Sequence, residues 1–167
     1  MTDNTPNTQP GALPGAAEGF AFLDGVWRVH HRRLVTPLSG REAWSESEGQ
    51  ATFITLLDGL VSIEEMRYAD GRPIGGALRA FDRARRVWSD QWVGAHNGLV
   101  QPPMFGSFEG DVGTFIAEDD YEGRPILSRG VWRRVSADEV IWEQAFSVDK
   151  GSTWELNWRM RFVRVKR

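Results

Sequence analysis

The sequence predicts an all-β protein: one antiparallel up-and-down barrel of about ten strands, preceded by a short helical turn. Three observations carry that prediction. Turn signals recur at short, regular spacing from Val26 onward. The segments between them are short and mix apolar with polar residues at strand rather than helix period. Tight turns make neighbouring strands antiparallel, and a ten-strand meander leaves two long unpaired edges unless it closes on itself.

The elements follow in order. Residues 1–17 contain Pro6, Gly11, Pro14 and Gly15 among small polar residues, which predicts a flexible tail that buries nothing. Residues 18–167 form the single barrel domain. A helical turn is expected at 17–23, with Phe20 and Leu23 one turn apart. Strands are expected at 26–34, 43–57, 60–68, 77–81, 87–93, 104–109, 113–119, 126–135, 140–148 and 153–165. The second is expected to bend at Gly49, where a missing side chain permits a bulge. Asp58-Gly59 and Asp70-Gly71 read as type I′ hairpin turns. The repeated Gly71-Arg-Pro-Ile74 and Gly123-Arg-Pro-Ile126 reads as one turn used twice.

A chain of 167 residues suits one domain with its own core. Its 20 basic and 23 acidic residues are well mixed and leave a net charge of −3, which gives nucleic acid no electrostatic footing. With no cysteine, disulfides and thiolate metal sites are excluded. The start lacks a basic segment followed by an apolar run, and no stretch reads as a spanning helix. A cytoplasmic protein without membrane contact is therefore expected; a homodimer stays open.

Eight tryptophans are the most informative part of the composition. Side chains alternate across a strand, so parity sorts them into faces. Trp154, Leu156, Trp158, Met160 and Phe162 share one face of the last strand. Trp142, Gln144 and Phe146 line up on the strand before. Ser128, Gly130 and Trp132 form a row, as do Trp88, Asp90 and Trp92, and Trp44, Glu46 and Glu48. Rows that pair indoles with one polar group resemble the wall of a ligand cavity more than a filled core. The expected cavity is lined by Trp44, Trp92, Trp132, Trp142 and Trp158. The alternative is that the tryptophans fill the interior and the carboxylates sit at its rim.

Asp90 between Trp88 and Trp92, and Glu46 beside Trp44, are candidates for proton transfer, since burial raises a carboxyl pKa. Arginine partners would turn each into a structural ion pair, and all but two of the 20 basic residues are arginine. His31 shares a face with Trp27 and is a third candidate. His30 and His31 point to opposite faces, and no metal-binding His spacing occurs, so no metal and no cofactor is expected.

Gly25-Val-Trp27 after Phe20, Phe22 and Leu23 resembles the Gly-x-Trp signature of lipocalins and the wider calycin group. There the Trp packs at the closed end of the barrel beneath an arginine from a late strand. Arg159, Arg161 and Arg164 are available for that place. Phe22-Leu-x-Gly-x-Trp27, Asp58-Gly59-Leu60, Leu78-Arg-x-Phe-Asp82, Trp88-x-x-x-Trp92 and Ser147-x-Asp-x-Gly-x-x-Trp154 come in the order of a bacterial family of unknown function with a calycin-like barrel. The resemblance runs from about Phe20 to Arg164. It implies the fold and a small hydrophobic ligand, and no reaction. The last of these motifs is also similar to the Asp-box turn of sialidase propellers; one copy is a turn staple rather than a propeller repeat.

Two function classes follow. One is a binding module whose Trp-lined cavity takes a small apolar or aromatic molecule. The other is an enzyme using that cavity for acid–base chemistry on an aromatic or polyketide-like substrate, with Asp90, Glu46 or His31 moving the proton. A filled barrel with a purely structural role is the third.

Overall fold

The computed structural model describes residues 19–166; the expected tail at 1–17 lies outside them. Ten antiparallel strands close into one barrel, each hydrogen-bonded to its neighbours in chain order and the first to the last. They are β1 (Gly25–Leu34), β2 (Trp44–Leu56), β3 (Val61–Tyr68), β4 (Pro73–Asp82), β5 (Val87–Gly94), β6 (Met104–Glu109), β7 (Val112–Tyr121), β8 (Arg124–Ser136), β9 (Glu139–Ser147) and β10 (Glu155–Arg164). The helical turn before β1 is a 3-10 turn, Ala21–Leu23.

Several local expectations change. Asp58-Gly59 lies in a second 3-10 turn, Leu57–Gly59, with positive φ at all three residues. Strand β4 begins four residues earlier than expected, at Pro73. The ring of Trp92 lies against Gly75, where any Cβ would collide with it. Gly49 is not a bulge: β2 pairs in unbroken register with both neighbours. Glycine is needed there because the carbonyl oxygen of Arg67 would stand 2.6 Å from a Cβ. The irregularities fall at Met66/Arg67, Arg134/Ser136 and Leu156/Trp158.

The third of these matters most. Directly opposed residues on antiparallel strands share a face. Trp158 opposes Arg33 and Gln144, whereas Leu156 opposes Ala145. A bulge between Leu156 and Trp158 breaks the alternation. Trp158, Met160 and Phe162 therefore face inward, while Trp154 and Leu156 line a groove on the outer surface.

One end of the barrel is solid. The turn at 21–23 carries Phe20 and Leu23 into it, and both are fully buried. The Phe20 ring lies 5.0 Å from Trp88 and from Phe108, 5.5 Å from Phe115 and 5.9 Å from Trp132, mostly edge to face. Trp27 donates Nε1–H to the Leu23 carbonyl at 2.5 Å, and the Arg164 guanidinium lies 4.1 Å from its ring centre. Arg164 also donates to the carbonyls of Phe22 and Asp24, which ties the plug to the last strand. The expected partner of Trp27 is thus Arg164, not Arg159 or Arg161.

Candidate functional site

The opposite end has no such plug among the described residues. Strand ends there bring inward-facing Trp92, Met104, Gln144 and Trp158 together, and all four keep part of their surface in water. Solvent therefore reaches the inner wall at this end. Behind them His31, Met66, Ser128, Trp142 and Met160 are buried. The wall alternates large with small: Trp142 and Met104 both lean over Gly130. Trp142 and Trp158 meet edge to face at 5.4 Å, and Arg33 covers the Trp158 ring at 4.6 Å on the mouth side.

The expected cavity residues divide accordingly. Trp92, Trp142 and Trp158 belong to the open half. Trp132 points inward but is packed into the solid end against Phe20, Phe53, Phe162 and the edge of Trp142. Trp44 and Glu46 are corrected outright: Trp44 opposes Leu34 and Glu46 opposes Arg32, one residue out of step with inward Val29 and His31. Both face outside, where Arg32 lies over the Trp44 ring at 4.8 Å. The row began on the wrong parity, and nothing in Trp-Ser-Glu-Ser-Glu marks which face is inner.

The three proton-transfer candidates are differently placed. Glu46 sits in the open on the outer face, 3.4 Å from His30 and 3.9 Å from Arg32. His31 is buried; burial first, then His30 and Arg33, lowers its pKa to about 4, so its imidazole is neutral at neutral pH. Its Nε2 has no hydrogen-bond partner. Asp90 points inward and lies 3.1 Å from Nε of Arg79.

Arg79 is a buried charged residue that the sequence did not single out. It is 2% exposed, donates from Nη2 to Glu64 at 2.5 Å, and holds Asp90 on its other side. Its guanidinium lies over Phe20 and Trp132 at 5.0 Å each and over Phe53 at 5.6 Å. The cluster is the boundary between the solid end and the open one. Burial raises the Glu64 pKa, and it outweighs the opposing pull of Arg79. The signal was present: Arg79 shares parity with Ala77 and Phe81, and Glu64 with Ser62 and Met66. A charge inside each apolar row marks a pair, but the partners lie on different strands and parity alone cannot join them.

The Asp-box motif performs as a turn. Asp149 accepts from Thr153 N–H and Oγ1–H and from the Ser147 hydroxyl, which hold its pKa down to about 2. Trp154 donates to the Gly151 carbonyl at 3.0 Å. Its ring, covered by Arg129 at 4.2 Å, helps wall an outer groove of about 350 Å3. Among the described residues no group of three His, Asp or Glu side chains is placed to hold a metal ion, and no helix is long and apolar enough to cross a membrane.

The class defined by this fold is the closed ten-strand antiparallel barrel. The chain is similar in structure to Rv2717c from M. tuberculosis, with a TM-score of 0.54, 13% identity, and coverage of 87% of this chain and 94% of that one. At that identity the likeness concerns the fold. No family model and no curated protein matches the sequence.

Proposed function

We propose that the protein is a calycin-like binding barrel whose open half takes one small apolar or aromatic molecule. The observation that carries this reading is the exposure of inward-facing Trp92 and Trp158 at the end opposite the plug. A ten-strand barrel is wider than the eight-strand barrels that side chains just fill. The solid end is filled with help from Phe20 and Leu23; the open end relies on three indoles and on Met66, Met104 and Met160. Methionine side chains change rotamer easily and make room for a guest. Titration with an apolar dye should quench tryptophan fluorescence in a saturable way, and Trp92→Ala should weaken the dye by about tenfold, or ~1.4 kcal/mol. Unchanged affinity in that variant would remove the open half as the site.

A homodimer finds support on the outer face. Ile54, Ile63 and Leu78 directly oppose one another across β2, β3 and β4, and all three are exposed. An uncharged exposed row of this kind fits a second copy of itself. Light scattering of the protein and of Ile63→Lys tests it: a dimer that becomes a monomer supports the reading, and a monomeric wild type ends it.

A further inference from the structure

The boundary cluster contains two atoms that its own pairing does not use. Arg79 donates from Nη2 to Glu64, and its Nε stands 3.1 Å from Asp90 as an ion pair without a hydrogen bond. Glu64 Oε1 and Arg79 Nη1 have no hydrogen-bond partner, although Glu64 is 4% exposed and Arg79 2%. Buried polar atoms are normally satisfied, and these two are an acceptor and a donor within one ion pair. Below them the way is closed by Phe20, Phe53 and Trp132, over which the guanidinium lies. Above them lies the open half. The Asp90 side chain keeps 12% of its surface exposed, and Trp92 stands two residues further along the same inward face toward the mouth.

We propose that Glu64, Arg79 and Asp90 form the polar floor of the binding site, and that its ligand is a neutral aromatic molecule carrying a hydroxyl group. The ligand's O–H donates to Glu64 Oε1, and its oxygen accepts from Arg79 Nη1. Two carboxyl groups beside one guanidinium leave no positive charge unspent, so an aromatic carboxylate meets repulsion where the hydroxyl finds both partners. A methyl group in the same place leaves both buried atoms unmatched. The inference rests on the open half being the binding site.

Displacement of bound 1-aminoanthracene at neutral pH by three competitors on one ring system tests it: 2-naphthol, 2-methylnaphthalene and 2-naphthoate. The expected result is that 2-naphthol displaces the dye at concentrations at least tenfold lower than either of the others. Parity between 2-naphthol and 2-methylnaphthalene overturns the polar floor and leaves the apolar site standing. A tighter 2-naphthoate overturns it as well. A protein that binds none of the four probes ends both readings at once. In Glu64→Gln, checked for folding by circular dichroism, the preference for 2-naphthol over 2-methylnaphthalene should fall several-fold. A preference kept at its wild-type ratio in a folded variant would show that Glu64 does not read the hydroxyl.

Discussion

In the closed half of the barrel, Phe20 and Leu23 enter from outside the sheet; Phe20 meets Trp88 and Trp132, Trp132 meets Phe162, and Trp27 bonds the Leu23 carbonyl. In the open half no segment enters among the described residues; Trp92 leans over Gly75 and Met104 over Gly130, each keeping part of its surface exposed. Both halves are built from the same ten strands with the same alternation. The difference is whether a plug completes the packing. A barrel this wide becomes solid where extra residues are brought in, and at the other end inward-facing side chains keep part of their surface exposed.

The largest expected effect separates the halves by stability. Trp27→Ala removes a fully buried indole, its hydrogen bond to Leu23 and its contact with Arg164. It should cost about 3–5 kcal/mol in urea denaturation. Trp92→Ala removes a ring that is part exposed and should cost no more than about 2 kcal/mol. Equal losses would mean that the open half is as solid as the closed one, and the comparison would collapse.

The second effect is a loss of stability in acid that belongs to the open half. His31 has a folded pKa of about 4 against an ordinary value of 6.5. The unfolded chain takes up the proton first as pH falls. The stability that comes from keeping His31 neutral is therefore complete above pH 6.5 and is lost on the way down to about 4. The full loss amounts to roughly 3 kcal/mol. His31→Gln should flatten that part of the stability–pH curve. An identical slope in wild type and variant would place His31 in water rather than behind the wall.

Glu64, at the boundary, should give a slope of opposite sign. Its folded pKa is raised from 4.5 by burial. Its contribution is fully present below 4.5 and is lost as pH rises through the folded value. Glu64→Gln cannot ionise, so it should gain on the wild type as pH climbs from 4.5. A wild type that gains on the variant over that window would show that Arg79 outweighs burial.

Much of this architecture was legible beforehand, and what was not has a physical reason. Turn chemistry placed ten strands, because Gly, Asp and Pro act locally. The packing of Trp27 beneath a late-strand arginine was implied by the lipocalin resemblance of Gly25-Val-Trp27, and Arg164 takes that place. Faces were another matter. Trp154 and Leu156 share parity with Trp158, yet a bulge after Leu156 sends them to opposite sides. Such a bulge is fixed by pairing with β9, which no local pattern records. Asp90 shares the inward face of β5 with Trp88 and Trp92, as its parity with them implies. Its engagement with Arg79 and Glu64 was invisible, because those three residues come together only when β3, β4 and β5 align.

The smallest expected effect is the sharpest test of which wall is inner. Trp44 was expected in the cavity and stands outside, opposed to Leu34 and covered by Arg32 at 4.8 Å. A cation over an exposed indole contributes about 0.5–1 kcal/mol, and Trp44→Ala should cost no more than that in stability. It should leave dye affinity and the end-point of tryptophan quenching by the dye unchanged, because an indole on the outer face cannot touch a guest inside. Trp92→Ala, measured beside it, should change both. The pair matters because β2 runs in unbroken register from Gly25 to Leu34 of β1. A shift of one residue would bring Trp44 and Glu46 inside and turn His30, rather than His31, toward the centre. Loss of dye affinity in Trp44→Ala to the extent seen in Trp92→Ala would demand that shift, and with it a different polar lining for the open half.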